Sequence, residues 1–579
     1  MAGGKKRKNH QAEVIRLPSY RARRITVLVV IGLAFAALIW RSVDRQVFET
    51  AFLQEQGEMR YLRTMTVSAS RGMIADRNGE PLAISTPVKS VAANPKVIKG
   101  DSETIGALAS TLNLDPDRLR RLLSSERGFV YLKRRVNPDI AERVDALELD
   151  GIDLLSEYRR FYPSGEVMSH IVGFTNIDDQ GQEGIELAYD EWLSGSAGAK
   201  RVIKDGKGRV VEQVENIRSP FPGKELKLSI DRRLQFLAYR ELKAAVSKHK
   251  ARSGSAVILD SRSGEILAMV NSPSYNPNAL RGRRSSSLRN RAVTDVFEPG
   301  STIKPFTVAA AVELERFTPN TPIDVSPGQM KVGRYLVRDN RNYGMIDVAT
   351  VLRKSSNVGA SKIALSMQPE TLWRLFSSLG FGESPYSQFP GESAGRLPHF
   401  SDWSSFEQAT LSFGYGLSVT PLQLARAYGV LANDGLRMPV SLLKLDQPAE
   451  GVRVMRKSTA RTVVKMLEAV VSNEGTAPLA AVPGYRVAGK TGTAKKSVAG
   501  GYAEDKYLSL FVGIAPAGDP RLVMAVFIDE PKGKEYYGGL VAGPVFSRVM
   551  SGALRLLNIP PDKHWHENNT LMARLGDRR

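Results

Sequence analysis

The longest apolar run of the chain lies near its start. Residues 25–40 (ITVLVVIGLAFAALIW) carry no charge and are flanked by Arg24 and Arg41. As a helix this run spans about 24 Å, short of a bilayer core of about 30 Å, but flanking arginines extend the reach because their side chains snorkel. The pattern predicts a retained transmembrane anchor at residues 25–41. A buried core helix and a cleaved signal peptide are the alternatives, the latter because Ala34-Phe35-Ala36 is similar to a cleavage site.

Polar and apolar residues are mixed over residues 42–222. Strand-like runs flank an Asn78-Gly79 turn, and Asp115-Pro116 predicts the start of a helix with leucines on one face. No pair of a nucleophile and a base is evident in this region. We therefore predict a structural or docking domain over 42–222, which ends in a linker because residues 219–223 contain two prolines.

An α/β pattern begins near residue 224. Helix starts are predicted at Asp231, at the cap and proline pair Thr420-Pro421, and at Pro544. The apolar segments that predict strands are 256–259, 265–270, 485–494, 508–515 and 522–529. Because strands lie at both ends with helices between them, we predict a domain over residues 223–564 whose single sheet is completed by distant segments. Residues 565–579 are polar and are predicted to form a loose tail.

Composition sets limits on location and chemistry. The chain has 579 residues, with 81 Lys and Arg against 60 Asp and Glu. Eight of the basic residues lie in 1–24 beside one glutamate, so the positive-inside rule places this basic tail in the cytoplasm and the rest outside. A basic excess suggests an anionic partner, but the sequence lacks zinc-finger spacing and RNA-binding aromatic motifs, which argues against nucleic acid. The absence of cysteine excludes disulfides and thiolate chemistry.

The stretch around Ser301 carries the first candidate chemistry. Pro299 and Gly300 are followed by a helix-forming run, so Ser301 is predicted at or near a helix N-terminus. Lys304 falls on the same face, where it can serve as the base that a serine nucleophile needs, provided that its pKa is lowered. Pro305 must then lie close to the first turn. An ordinary capping serine beside a solvated lysine is the alternative.

A second polar cluster lies in an otherwise apolar neighbourhood. Ser355 and Asn357 are candidates for relaying a proton and for holding a substrate amide. Serine and asparagine also form helix caps and turns, which is the alternative interpretation.

A third cluster, Lys490-Thr491-Gly492-Thr493, lies on a predicted strand. Alternation places the two threonines on one face and Lys490 on the other. Two hydroxyls beside a cation suit a carboxylate, and Gly492 lets another backbone approach closely. A solvated edge strand is the alternative.

The three clusters together are far more specific than each alone. Ser301, Ser355 and Lys490 stand 54 and 135 residues apart, in the order Ser-x-x-Lys, Ser-x-Asn and Lys-Thr-Gly. In this the chain resembles class B penicillin-binding proteins, most closely the division-specific FtsI type, from the anchor to about residue 560. Elongation-type relatives typically carry Asp where this chain has Asn357. The FtsI pattern often has Lys-Ser-Gly-Thr where this chain has Lys490-Thr491-Gly492-Thr493. This departure is mild because both hydroxyls are kept. Further shared stretches are Arg71-Gly72, Asp76-Arg77-Asn78-Gly79, Arg160-Phe161-Tyr162-Pro163, Gly184-Ile185-Glu186 and Phe413-Gly414-Tyr415-Gly416-Leu417.

The resemblance implies a fold of three parts. These are a transmembrane helix, an elongated mixed N-terminal domain of the pedestal or dimerisation type, and an α/β (α+β) serine transpeptidase domain. The last has a central antiparallel sheet flanked by helices.

The resemblance also implies the chemistry of peptidoglycan D,D-transpeptidation. Ser301 would attack a D-Ala-D-Ala peptide with Lys304 as base, while Ser355 and Lys490 deliver a proton to the leaving D-Ala. The N–H groups of Ser301 and Thr493 would form the oxyanion hole. The substrate-binding residues would be Asn357 for the donor amide, and Thr491, Gly492 and Thr493 for the carboxylate. Tyr415, Tyr536 and Tyr537 would line the site or serve in the core or on the surface. No metal or organic cofactor is implied.

The implied partners are stem peptides as donor and acceptor, β-lactams as covalent inhibitors, a membrane-embedded glycosyltransferase and other divisome proteins. The implied location is the bacterial inner membrane at the division septum, with the catalytic domain periplasmic. A D,D-carboxypeptidase, a β-lactamase-type hydrolase and a non-catalytic β-lactam sensor or division scaffold are the alternatives.

Overall fold

The computed structural model describes residues 20–48, 62–98, 100–204, 210–279, 285–498 and 501–563. The predicted loose tail at 565–579 and residues 1–19 of the basic tail lie outside these ranges.

The apolar run forms a helix that is longer than the run itself. It spans Arg21–Val43 and continues as a π-helical turn over Asp44–Phe48. These 28 residues have a mean hydropathy of 2.1 in their most apolar window, none of which is buried in the protein. At 1.5 Å per residue the helix is about 42 Å long, enough to cross a bilayer core of about 30 Å. By length and composition it can therefore serve as the predicted anchor.

The domain predicted over residues 42–222, which we call the pedestal, is built from two sheets. Three antiparallel strands, Leu62–Val67, Gly198–Lys204 and Val210–Arg218, form the first sheet. The second contains Ile74–Ala75, Pro81–Ala93, Val130–Val136 and Ile152–Phe161. A short strand pair, Phe174–Thr175 and Gly181–Glu183, lies apart. The helices of the pedestal are Ser102–Leu112, Pro116–Leu123, Pro138–Asp145, Ser169–Val172, Gly184–Ala188 and Asp190–Leu193.

Local sequence signals explain several of these elements. Asp115 accepts hydrogen bonds from the N–H groups of Asp117 and Arg118, so the helix starts where the cap and proline predicted. Gly79 has φ +89° in the turn between two strands, a conformation that glycine adopts without strain. Leu108, Leu112 and Leu119 belong to a small hydrophobic core of the pedestal that is separate from the main core.

The pedestal and the following domain are joined by paired backbone and by polar side chains. Strand Leu226–Lys227 lies beyond the predicted boundary at 222, yet it pairs in parallel with Ile74–Ala75 of the pedestal. The Arg232 N–H donates to Asp76 Oδ2 at 3.1 Å, and Tyr162 and Asn278 exchange two hydrogen bonds. The two regions thus share a sheet at their junction, and the boundary itself stays a prediction.

The second domain is organised around one five-stranded antiparallel sheet. Its order is Ile266–Ser272, Ser253–Asp260, Leu522–Asp529, Gly501–Ala515 and Ala488–Val498. Strands from residues 253–272 therefore pair with strands more than 200 residues later, as the pattern predicted. The last strand begins at Ala488 and not at residue 485, because residues 482–485 form a turn closed by a hydrogen bond from the Tyr485 N–H to the Val482 carbonyl.

Helices cover both faces of this sheet and carry the site. Arg232–Lys248 and Gly543–Leu556 pack together on the sheet, and Pro421–Ala432 packs mainly against strands Ser253–Asp260 and Leu522–Asp529. Asp231 and Thr420 cap their helices as predicted, the latter in a capping box with Gln423. The remaining helices are Arg291–Thr294, Lys304–Glu313, Val348–Lys354, Asn357–Leu365, Pro369–Ser378, Ser405–Leu411, Lys457–Val471 and Gly538–Val541. Short strand pairs are Pro322–Asp324 with Met345–Asp347, Gln329–Val332 with Tyr335–Arg338, and Leu436–Arg437 with Val452–Arg453.

Candidate active site

Ser301 lies in a single 3-10 turn, Gly300–Ile303, that leads into the helix Lys304–Glu313. Pro305 sits in the first turn of that helix, the position that its missing N–H allows. Gly300 has φ +55°, and its N–H donates to the Gly414 carbonyl at 3.1 Å. Ser301 is half-buried, while Gly300, Thr302 and Ile303 of the same turn are buried.

Lys304 is completely buried and points to the second polar cluster. Its Nζ donates to the Ser355 carbonyl at 2.6 Å, to Ser355 Oγ at 3.1 Å and to Asn357 Oδ1 at 2.7 Å. These acceptors use its three donor positions when the amine is protonated. The structure thus brings Lys304 together with both predicted residues of the second cluster.

Lys490 reaches the same serine from another direction. Its Nζ donates to Ser355 Oγ at 2.9 Å and to the Thr491 carbonyl at 3.3 Å, and its side chain is fully buried. Ser355 Oγ therefore lies between two lysine amines. Strand alternation sends the Lys490 side chain into the protein, away from the predicted face of Thr491 and Thr493.

Burial lowers the pKa of both lysines, and the charge of Lys490 also lowers that of Lys304. Desolvation lowers the pKa of Lys304 well below its usual 10.5, the positive charge of Lys490 lowers it further, and Asp339 opposes the change. Burial lowers the pKa of Lys490 to about 7. A lysine that loses its proton near neutral pH can act as a general base, which the sequence interpretation required.

In the second cluster one serine caps a helix, and the serine before it contacts the two lysines. Ser356 is the N-cap of the helix Asn357–Leu365 and accepts from the Gly359 N–H at 2.9 Å. Ser355 ends the preceding helix in the left-handed region with φ +62°, an uncommon conformation for serine. The alternative of a helix cap therefore holds for Ser356, while the Ser355 hydroxyl faces the two lysines.

Asp339 was not identified from the sequence, although it holds the second cluster in place. Its carboxylate accepts from the N–H groups of Asn357 and Val358 and from the Ser356 hydroxyl. The carbonyl of Arg338 accepts from Asn357 Nδ2 at 3.0 Å. Both residues lie outside any motif, and no local signal marks them.

Glycines let the third cluster approach the nucleophile. A Cβ on Gly492 would come within 3.0 Å of the Pro299 carbonyl and of a Thr302 methyl. The strand Ala488–Val498 therefore lies directly against the Ser301 turn, as expected for a glycine at a close backbone approach. Thr491 Oγ1 hydrogen-bonds Thr476 Oγ1 at 2.9 Å, and Thr493 Oγ1 accepts from the Gly538 N–H at 3.0 Å.

Several aromatic side chains contact one another near the strand Ala488–Val498, which carries the third cluster. Tyr507, Tyr536 and Tyr537 stack in series with centroid separations of 4.2 and 4.6 Å. Tyr415 meets Tyr502 edge to face, and the Tyr502 hydroxyl donates to Glu298 Oε1 at 3.1 Å. The site roles of the predicted tyrosines stay predictions.

The described residues contain no group of three or more His, Asp or Glu able to hold a metal ion. The arrangement instead offers two buried amines, the Ser355 hydroxyl between them, and a strand of hydroxyls against the Ser301 turn.

Comparison with known proteins gives matches over both domains. A family model described as the penicillin binding protein transpeptidase domain matches residues 254–551, and the penicillin-binding protein dimerisation domain matches residues 66–228. Over 559 residues the chain is 45% identical to the peptidoglycan D,D-transpeptidase FtsI of Escherichia coli K12, covering 95% of this chain and 94% of the relative.

Solved structures show the same architecture. The apo transpeptidase domain of penicillin-binding protein 3 from Burkholderia pseudomallei is 48% identical, with TM-score 0.54, and the match covers 58% of this chain and 98% of that one. Penicillin-binding protein 3 from Mycobacterium tuberculosis, complexed with aztreonam, is 28% identical, with TM-score 0.68, and the match covers 86% and 98% of the two chains.

Proposed function

This chain belongs to the class B penicillin-binding proteins of the FtsI type and is a peptidoglycan D,D-transpeptidase, and on that premise we propose how its residues perform the reaction. The observation that carries the assignment is the position of Ser355 Oγ between Lys304 Nζ at 3.1 Å and Lys490 Nζ at 2.9 Å. This connected set of hydrogen bonds can move a proton between the two lysines through the Ser355 hydroxyl.

Ser301 is the nucleophile and Lys304 its base. Neutral Lys304 takes the hydroxyl proton as Ser301 Oγ forms a bond to the carbonyl carbon of the penultimate D-Ala. The N–H groups of Ser301 and Thr493 stabilise the resulting oxyanion. Support comes from the lowered pKa of Lys304 and from the close approach of the motif strand at Gly492.

Ser355 and Lys490 complete the exchange. The C–N bond to the terminal D-Ala breaks, and its nitrogen receives a proton through the Ser355 hydroxyl, supplied by the Lys304–Lys490 pair. An amine of a neighbouring stem peptide then attacks the ester carbon. Its proton returns to the set of hydrogen-bonded groups, and Ser301 Oγ is released as the hydroxyl when the new amide forms.

Three residues hold the donor peptide. Asn357 binds the backbone amide of the donor, with its own side chain oriented by Lys304 and the Arg338 carbonyl. Thr491 and Thr493 bind the terminal carboxylate, and Gly492 lets their strand lie against the nucleophile. β-Lactams bind this family and acylate the same serine, because their ring amide takes the place of the D-Ala-D-Ala amide.

The proposed cellular setting is supported by the anchor and the family. The chain is a single-pass membrane protein whose catalytic domain lies on the periplasmic side of the inner membrane. Its site makes cross-links only, so the glycan strand must come from a separate membrane-embedded glycosyltransferase. We place this pair at the division septum with other divisome proteins, supported by the likeness to FtsI.

Adduct mapping tests the assignment of the nucleophile. Full-length protein in detergent is incubated with a penicillin, digested and analysed by mass spectrometry. We expect one adduct, on the peptide that contains Ser301, and none in Ser301→Ala. Ser355→Ala is the matched control, since it keeps the nucleophile and should acylate more slowly at the same position. An adduct at another residue, or an undiminished adduct in Ser301→Ala, would refute the assignment.

A further inference from the structure

A hairpin beside the second cluster carries an unusual number of cations. Residues 329–341 contain Lys331, Arg334, Arg338 and Arg341 against a single carboxylate, Asp339. We call this stretch the basic hairpin. It comprises strands Gln329–Val332 and Tyr335–Arg338, the turn residues Gly333 and Arg334 between them, and the three residues that follow.

The four cations of the basic hairpin face solvent. All four side chains are exposed, and none forms an ion pair with a carboxylate in the part of the chain that the structure describes. Asp339 is occupied by three hydrogen bonds to the second cluster. Arginines elsewhere in the domain more often have partners, as in Arg437–Glu383 and Arg486–Glu468. The charge of the basic hairpin is therefore free to act on a ligand.

The basic hairpin is held firmly against the site. Val332 and Val337 are buried in the main core, and the Tyr335 ring stacks on Phe406 with a centroid separation of 4.3 Å. Asp339 and the Arg338 carbonyl bind the backbone and side chain of Asn357. A charged surface on a fixed support binds at a smaller entropic cost than a loose loop.

We propose that the basic hairpin is a binding subsite for the donor strand of peptidoglycan, where Arg334 and Arg341 contact carboxylates of the stem peptides away from the reacting D-Ala-D-Ala end. This proposal rests on the proposed function, because Asn357 marks where the donor peptide enters. The terminal carboxylate is already assigned to Thr491 and Thr493. The remaining carboxylates of an uncross-linked strand need cations nearby, and each guanidinium lies over a tyrosine ring, 5.1 Å from Tyr335 and 5.0 Å from Tyr343.

Binding and turnover of the double variant Arg334→Gln with Arg341→Gln test this subsite. The probes are soluble uncross-linked peptidoglycan strands and an N-acylated Lys-D-Ala-D-Ala tripeptide, which has one carboxylate only. For the strands we expect a rise in Kd and KM of about fivefold, as two exposed ion pairs would give, with kcat within about twofold. The tripeptide and the rate of penicillin acylation should respond by less than about twofold.

Two further variants make the result specific. Arg334→Lys with Arg341→Lys keeps the charges and should retain most of the affinity for strands. Arg555→Gln removes an exposed arginine on the helix Gly543–Leu556 and should leave strand binding unchanged. The proposal would be overturned if the double glutamine variant bound strands as tightly as the wild type. It would also be overturned if Arg555→Gln lost as much strand affinity, or if the double glutamine variant lost as much affinity for the tripeptide as for the strands. If the arginines of the basic hairpin bound anionic vesicles more tightly than peptidoglycan strands, the result would overturn the proposal in favour of a membrane contact.

The binding measurement is made by fluorescence anisotropy in the Ser301→Ala background, so it does not depend on turnover. If the double glutamine variant lost strand affinity but the wild type did not cross-link, the proposed chemistry would be refuted and the subsite would stand. Normal cross-linking with unchanged strand affinity would refute the subsite and keep the chemistry.

Discussion

At the scale of single residues, we expect the protonation of Lys304 to control acylation. Its pKa is lowered by burial and by Lys490, so the neutral base is present at a pH well below 10.5. Because the neutral form accepts the Ser301 proton, the acylation rate should rise with pH and level off above that pKa. Lys304→Arg cannot lose its proton and should acylate at least about 100-fold more slowly, without the pH-dependent rise.

The measurement is the second-order rate constant for a fluorescent penicillin between acid and alkaline pH. Lys354→Arg is the matched control, because its Nζ donates to the Glu474 carbonyl outside the site. A loss below about tenfold in Lys304→Arg would contradict the role of base. Lys490→Gln should move the rise to higher pH, because it removes a positive charge that lowers the pKa of Lys304.

At the scale of elements, the Ser301 turn is positioned by the loop at Gly414. Gly414 and Gly416 both have φ +91°, but a Cβ on Gly414 would lie 2.1 Å from the Gly300 carbonyl oxygen, whereas one on Gly416 would only touch Leu411 at 3.6 Å. Both alanine variants should lose about 1–2 kcal/mol of stability from the left-handed backbone. Only Gly414→Ala must also displace the turn, and its acylation rate should fall by about 100-fold.

Thermal unfolding and acylation rates of the two variants separate these effects. If both variants lost equal activity, backbone strain alone would explain the loss, and the contact between the loop and the turn would not position Ser301.

At the scale of the whole molecule, the motifs of the pedestal meet in one buried ion cluster. Glu186 accepts from Arg71 Nε and Arg160 Nε, each at 2.6 Å, and its side chain is inaccessible to solvent. Glu186→Gln would leave buried Arg160 without its counter-ion and Arg71 paired with Asp190 alone, and should cost about 3–5 kcal/mol of stability. Glu215→Gln, which breaks the exposed pair with Arg201, should cost less than about 1 kcal/mol.

Calorimetry of the full-length variants in detergent gives both values. Side chains from the pedestal and from the transpeptidase domain share the main hydrophobic core, so we expect a single transition for the extracytoplasmic part. Equal stability of Glu186→Gln and Glu215→Gln would show that the buried ion cluster does not stabilise the pedestal.

Local signals in the sequence determined most elements, and the resemblance predicted the identity of the reacting groups. The helix starts at Asp115, Asp231 and Thr420 were predictable, because a cap and the first helical residues are neighbours in the chain. Strands were predictable as apolar runs between turns, although their ends moved by several residues. The resemblance, carried by three short motifs, identified Ser301, Lys304, Ser355 and Lys490 because such chemistry needs fixed residue types.

Only the tertiary structure decided which groups surround those residues. Asp339 and the Arg338 carbonyl orient Asn357 through contacts across 18 and 19 positions, and Gly414 fits against Gly300 across 114 positions. The same holds for Glu186, whose two arginines lie 115 and 26 residues away. Such pairings depend on the order of strands and the packing of the core, so neither periodicity nor local propensity contains them. The lowered pKa of each lysine has the same origin, since burial is a property of the assembled fold.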